Sequence, residues 1–234
     1  MTLLIATGLR REARLMAGPG IVVIAGGGDA ARLELELERA AASASAILSS
    51  GLAGALDPVL KPGDIVIGAC CIDDADARPS PSHGVNGSFD RELRRHVPNA
   101  HVGLIWASDR PVATGAEKAQ IYRETGALAV DMESHIAARV AAHHGLPFAV
   151  LRVISDAADM GLPPAALAGM RPDGGIALGA ILGSLVRQPG QLPGLFRTAR
   201  DAGHAFRILG RVHDVLRRGG IGCLDPGKLP FDMA

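Results

Sequence analysis

The opening of the chain alternates short apolar runs with glycine turns and helically spaced leucines. Leu3 to Ala6 is an apolar run ended by Thr7-Gly8, and Arg10 to Met16 follows in a helical pattern. Ile21 to Ala25 is a second run, stopped by Gly26-Gly27-Gly28. Over residues 29–42, Leu33 and Leu37 stand four apart while Glu34 and Glu38 fall on a wetter face, the period of an amphipathic helix. A strand at 46–48 leads into Ser49-Ser50-Gly51-Leu52-Ala53-Gly54, and further strands are expected at 64–67, 101–106, 127–130 and 148–154. Helices fit 90–96, 114–125 and 134–144, the last closed by Gly145 and Pro147. Strands that are apolar throughout and recur between helices predict an α/β fold with a mostly parallel or mixed sheet covered on both faces.

Residues 73–90 are rich in Asp, Pro, Ser and Gly, have no apolar period, and read as a surface or active-site loop. After Pro164 the character changes. A small-residue helix covers 174–187, a break follows at 188–193, and Leu195 to Arg218 reads as one long amphipathic helix. Its stripe is Phe196, Ala199, Phe206, Leu209, Val212 and Leu216, with Arg197, Arg200, Arg207, Arg211 and Arg218 mostly off it. Two readings stay open: a helix packed on the domain, or one facing lipid or a partner. The chain divides accordingly into a domain at 1–186 and an arginine-rich helical extension at 187–234 packed on it.

Charge and cysteine usage narrow the function classes. Lys plus Arg equals Asp plus Glu, 24 against 24, which leaves no footprint of a general nucleic-acid binder. Residues 187–234 carry seven Arg and one Lys against four Asp, so the basic excess lies at the end. Cys70, Cys71 and Cys223 have no metal-ligand spacing, and a reduced cytoplasmic protein is expected. The opening residues do not read as a signal peptide, and no apolar stretch reaches 18 residues, so no spanning helix is expected. No metal is expected: His143-His144 reads as a helix-end pair without an evident third ligand. Gly26-Gly27-Gly28 is a turn, since GGG is not the GxGxxG of a dinucleotide site.

Three places combine acidic groups with strand ends, where open α/β sheets place ligands: Glu12, Asp131-Met132-Glu133, and Ser155-Asp156 with Asp159. Any one alone could be a helix cap. Together they suit cleavage of an N-glycosidic bond to a purine. Such a reaction needs an acid at N7 of the leaving base, for which Asp156 is the candidate. It also needs negative charge near a cationic ribosyl ring, where Glu133 can accept from both hydroxyls of a cis-diol. Glu12 could orient or deprotonate a water, and Gly51 and Gly54 permit close backbone approach.

The stretches SSGLAGALDPVLKPGDIVIG at 49–68, ALAVDMESHIAARVAAHHGLPFAVLRVISDAAD at 127–159 and, more weakly, IATGLRREA at 5–13 resemble the purine nucleoside phosphorylase/nucleosidase superfamily. The motifs are most similar to those of methylthioadenosine/S-adenosylhomocysteine nucleosidases. The resemblance implies a nucleoside phosphorylase-like catalytic domain, a single three-layer α/β domain with a central mixed β-sheet, that assembles as a homo-oligomer, with a dimer favoured. It places the water-activating glutamate on Glu12, the ribose-hydroxyl glutamate on Glu133, and the methionine below the sugar on Met132. The N7 aspartate falls on Asp156 with Ser155 beside it, and Gly51, Ala53, Gly54, Val130 and Asp131 complete the substrate-binding set. Leu52 stands where the nucleosidase pattern has a hydroxyl residue, and Asp131 where it has a glutamate. Arg10, Arg11, Ser49 and Ser50 are the candidates for a phosphate acceptor, so inorganic phosphate stays open as co-substrate, with no other cofactor expected.

ASDRPVATGAEKAQIYRETGALAVDMES at 107–134, with the tail at 187–212, resembles the hopanoid-biosynthesis-associated branch. That resemblance implies removal of adenine from adenosylhopane, an adenine nucleoside with an apolar 5′ group. A basic amphipathic helix could then touch the inner membrane face. The alternatives are a phosphate-dependent purine nucleoside phosphorylase, a nucleosidase of small substrates, and a non-catalytic nucleoside-binding protein on the same fold.

Overall fold

The computed structural model describes residues 2–73, 87–168, 175 and 177–219. Among these, seven strands form one mixed sheet: β1 (Leu3–Thr7), β2 (Ile21–Ala25), β3 (Ala46–Ala55), β4 (Ile65–Asp73), β5 (His101–Ala107), β6 (Ala129–Asp131) and β7 (Phe148–Asp156). The helices are α1 (Arg10–Met16), α2 (Ala30–Ala41), α3 (Gly87–His96), α4 (Gly115–Thr125), α5 (Ser134–His143), α6 (Pro164–Ala168), α7 (Leu178–Arg187) and α8 (Leu192–Arg218).

The strand order is β2-β1-β3-β6-β5-β4-β7, and β7 returns to pair with β3. Strands β3, β6, β5, β4 and β7 therefore close into a ring, and β1 with β2 form a wing on it. The length of β3 makes this possible. One edge takes β1 along Ala46–Ser49 and β6 at Gly54 and Ala55, while the other takes β7 from Ile47 to Gly54. The strands that end in the candidate acidic residues thus meet through β3.

Three boundaries differ from the sequence reading. Ser49–Gly54 continues β3 instead of leaving it, because β7 pairs the whole segment while β1 and β6 hold its two ends, Ser49 and Gly54, on the other edge, and this ladder outweighs the weak strand preference of glycine. β4 runs on to Asp73 and takes in Cys70 and Cys71. β7 includes Ser155 and Asp156 as its last residues, and the short helix α6 is additional. Of the expected loop at 73–90, residues 74–86 lie outside the described residues, as does 220–234 of the extension.

The sheet is covered on both faces. Leu33 and Leu37 of α2 join Ile136 and Val140 of α5 on one side, each fully buried leucine contributing about 2 kcal/mol. Met16, Phe89, Leu93, Leu209 and Leu216 form the core on the other side. The turn into α2 is made by Gly27 and Gly28, both with left-handed φ (68° and 85°), and Asp29 caps the helix by accepting from Arg32 N at 3.0 Å. The two readings of α8 divide along its length. Ala205, Phe206, Leu209, Val212 and Leu216 are buried against the domain, whereas Phe196, at the start of the same stripe, is 69% exposed. No helix among the described residues is long and apolar enough to cross a membrane.

Candidate active site

Glu12 lies on the first turn of α1, 2% exposed. Its Oε2 accepts from Thr7 Oγ1 at 2.6 Å, Gly8 N at 3.1 Å and Leu9 N at 2.7 Å. That much is helix capping. Oε1, however, accepts from Leu52 N on β3 at 2.8 Å, so the carboxylate also ties α1 to the central strand.

A second buried cluster stands beside it. Arg152, in the middle of β7 and without solvent exposure, donates from Nε to Asp131 Oδ2 at 2.8 Å and from Nη2 to Ser49 Oγ at 2.6 Å and Ser134 Oγ at 3.1 Å. Asp131 Oδ1 accepts from the backbone N–H groups of Glu133 and Ser134 at 3.0 and 2.8 Å, which caps α5. Both oxygens of Asp131 are thus committed inside the protein. Its side chain anchors Arg152 and the turn that carries Glu133.

Glu133 precedes α5, and its Oε2 is 3.6 Å from Arg152 Nη2. Burial pushes its carboxyl pKa up to about 8; Arg152 opposes this, while Asp131 and Glu12 reinforce it. Burial works against the Arg152 charge too, but Asp131, Glu133 and Glu12 more than reverse it and raise its pKa.

Glycine is required at two positions against this cluster. A Cβ at Gly8 would lie 2.8 Å from Glu133 Oε1 and 3.6 Å from Glu12 Oε2. One at Gly51 would lie 2.9 Å from Arg152 Nη1 and 3.0 Å from Glu12 Oε1. Nη1 is buried and has no hydrogen-bond partner among the described residues. The space over Gly51 is therefore bounded by a guanidinium donor and a carboxylate acceptor.

Asp156, the last residue of β7, pairs with Gly54 of β3, three residues or roughly 10 Å on from Gly51 at the usual strand rise. Its Oδ1 accepts from Ser155 Oγ at 2.6 Å, and its Oδ2 accepts from Lys118 Nζ of α4. Lys118 also donates to the Ala157 carbonyl at 3.0 Å. A Cβ at Gly54 would meet Asp156 Oδ2 at 3.1 Å, Val130 Cγ1 at 3.3 Å and Lys118 Nζ at 3.4 Å. Ser155 Oγ also reaches the Ala53 carbonyl at 3.2 Å, and Met132 borders the glycine turn at Gly28.

The four phosphate candidates are not brought together. Ser49 is bonded to Arg152 and Ser134, and Ser50 Oγ lies 2.9 Å from His213 Nε2, both in the interior. Arg10 and Arg11 are exposed, and Arg11 stacks 4.1 Å over the ring of Phe206. Away from the site, Glu38 is the third group that the histidine pair lacked in the sequence. Its carboxylate bonds His143 Nδ1 at 3.0 Å and His144 Nε2 at 2.7 Å, tying α2 to the end of α5.

Sequence reasoning missed Arg152 and Lys118. Arg152 had a signal: a lone charge inside FAVLRVI must have a buried counterion. Lys118 had none, because it sits on a polar helix and its partner is 38 residues away.

The arrangement offers carboxylates for hydroxyls or positive charge beside Gly51 of β3 and a carboxyl–ammonium pair beside Gly54, three residues on. Known proteins share the frame. A 5′-methylthioadenosine/S-adenosylhomocysteine nucleosidase of Helicobacter pylori, solved as a point mutant with 5′-methylthioadenosine in the active site, superposes with a TM-score of 0.60 at 20% identity, over 91% of this chain and 98% of that one. The futalosine hydrolase of the same organism gives 0.57 at 22% identity, over 80% and 98%. At these identities the likeness is one of fold. A 5′-methylthioadenosine/S-adenosylhomocysteine nucleosidase of Staphylococcus saprophyticus is 34% identical over 130 residues, covering 48% of this chain and 57% of that relative, so the match spans little more than half of its length. The phosphorylase superfamily model matches residues 12–171, from the Glu12 turn past Asp156. With more than half of its length matched by that model, the chain belongs to the phosphorylase superfamily.

Proposed function

We propose that this protein cleaves the N-glycosidic bond of a 5′-substituted adenosine and releases adenine. The supporting observation is the placement along one strand, with Glu12 and Arg152 at Gly51, Glu133 close by across Gly8, and Asp156 at Gly54. Breaking the C1′–N9 bond leaves cationic character on the sugar and negative charge on the base, so opposite kinds of help are needed at the two ends of a nucleoside. The carboxylate-rich end suits the sugar. Glu133 accepts from the ribose hydroxyls, with Met132 below the ring. A water over Gly51 accepts from Arg152 Nη1 and gives its proton to Glu12 as it attacks C1′. At the other end Asp156, held by Ser155, serves N7 of the departing purine.

Water is the acceptor in this reading. A phosphate dianion over Gly51 would meet the carboxylates of Glu12 and Asp131 against the single guanidinium of Arg152. The finer assignment is adenosylhopane as substrate, in hopanoid biosynthesis. It is supported by the branch resemblance and by the exposed Leu182, Val186, Leu192 and Phe196, with exposed Arg187, Arg197 and Arg200 in the same helices. An apolar surface among arginines suits a 5′ group held in an anionic bilayer. A cytoplasmic homodimer with peripheral membrane contact belongs to the same reading.

The test gives purified protein 5′-methylthioadenosine, or adenosylhopane in detergent micelles, with and without phosphate, and identifies the products by mass. Adenine and a free hemiacetal are expected in both buffers. A phosphate-dependent sugar 1-phosphate overturns the choice of water, and no adenine from either substrate overturns the reading.

A further inference from the structure

α4 is a polar helix, GAEKAQIYRET, and its one buried residue is a lysine. Lys118 is 1% exposed, and its Nζ is directed at Asp156 Oδ2 and the Ala157 carbonyl. Lysine is among the residues least often fully buried, because its ammonium must leave water. Anchoring a helix does not require that: a leucine or methionine would fill the same space without desolvating a charge. The cation has therefore been placed for its partner. An ammonium carries three N–H donors, and the protein contacts named above use two. The space over Gly54 is bounded by both Nζ and Oδ2, so a group entering there faces the pair together.

We propose that Lys118 is the positioning residue of the leaving group, holding Asp156 and supplying through it the proton that the departing base takes up. This rests on the N-glycosidic reading above. As C1′–N9 breaks, its electron pair moves onto the purine and basicity rises at N7. A proton passes from Lys118 Nζ to Asp156 Oδ2 and on to N7, so that neutral adenine leaves. Asp156 ends as a carboxylate and Lys118 as an amine, which solvent reprotonates before the next turnover. Ser155 Oγ holds Oδ1 throughout, which keeps Oδ2 turned to the lysine. The arrangement also accounts for glycine at position 54, since a methyl group there would press on both members of the pair.

The test compares two leaving groups. 5′-Methylthioadenosine must have its base protonated, whereas 4-nitrophenyl β-D-riboside expels a stable phenolate. Lys118→Met, checked for folding by circular dichroism, should lose on the order of 10²-fold or more in kcat on the adenosine and under about 3-fold on the aryl riboside. Asp156→Asn should show the same split, and the double variant should be no worse than Asp156→Asn alone, because the two act in series. Lys118→Arg should recover part of the loss. If Lys118→Met does not fold, Gly54→Ala disturbs the same pair and should reproduce the split. Equal loss on both substrates, with wild type active, overturns the relay and leaves the N-glycosidic reading standing. Wild-type inactivity on both substrates overturns that reading and the relay with it.

Discussion

Arg152 and Asp131 form an ion pair at 2.8 Å in which neither side chain has any solvent exposure. The pair crosses from β7 to the turn before α5, so it fixes the guanidinium over Gly51 and the backbone that carries Glu133. Removing one partner leaves a buried charge unopposed, which typically costs about 3–5 kcal/mol. Arg152→Met and Asp131→Asn should each lower the unfolding free energy measured in urea by that order. The double variant should be less destabilised than the sum, because the orphaned charge is gone. Additive losses would show that the pair is not coupled.

Glu133 offers a readout independent of turnover. With its pKa raised to about 8 by burial, the free protein holds this carboxyl mostly protonated at pH 7. A ligand that carries a cis-diol and positive charge favours the carboxylate, so binding should expel a proton. Calorimetry of a cationic ribosyl analogue in two buffers of different ionisation enthalpy should reveal nearly one proton released. Glu133→Gln should release none and bind more weakly by about 1–3 kcal/mol. The raised value also means that Glu133 favours the fold below its unfolded pKa of 4.5, an advantage lost as pH rises through 8. Identical heats in the two buffers would refute the assignment.

His213 should make the protein acid-sensitive. Burial lowers its pKa from 6.5 to about 4, with Arg217 acting in the same direction. The unfolded chain takes up a proton as pH falls through 6.5, while the native protein does not until about pH 4. Stability is therefore lost across that window, by up to roughly 3 kcal/mol. Denaturation midpoints measured from pH 7 to pH 4 should fall less steeply in His213→Gln than in wild type. Parallel curves would remove His213 as the cause.

The exposed half of α8 can be separated from the packed half by charge alone. Arg197, Arg200, Arg207 and Arg211 changed together to Gln should preserve the fold, since the buried stripe from Ala205 to Leu216 is untouched. Association with vesicles containing anionic lipid should weaken, each arginine being worth about 1 kcal/mol near such a surface before screening. Turnover of a small soluble adenosine should stay within about 3-fold, given how little surface substitutions usually change stability. Wild type that ignores the vesicles, or parallel loss on the soluble substrate, would make the helix purely structural.

Much of this fold is legible in the sequence, because periodicity and punctuation are local. Leu33 and Leu37 announce the inner face of α2, and Gly145 with Pro147 announce the start of β7. Glu12, Glu133 and Asp156 could be singled out because acidic residues at strand ends are conspicuous. Ser49–Gly54 was hidden because glycine and serine weaken a strand pattern, and only the distant pairing with β7 restores it. The double commitment of Asp131, the reach of Lys118 to Asp156 and the bond from Glu38 to two distant histidines depend on tertiary contacts that no local spacing encodes.

The closed ring of strands has a consequence for when the molecule acquires its chemistry. β3 cannot fill its second edge until β7 arrives, about a hundred residues later, a separation of the kind that slows folding. The wing β2-β1-β3 can pair as soon as its own residues exist, and Glu12 reaches Leu52 within it. Arg152, Ser155 and Asp156 all ride on β7, the strand that completes the ring. On the proposed reading, a nascent chain or partly folded intermediate in which β7 has not docked has the start of a sugar end and no purine end. Competence to bind a whole nucleoside would then be gained only with the docking of β7 and its row of backbone hydrogen bonds, so that ligand would capture finished molecules and not their precursors.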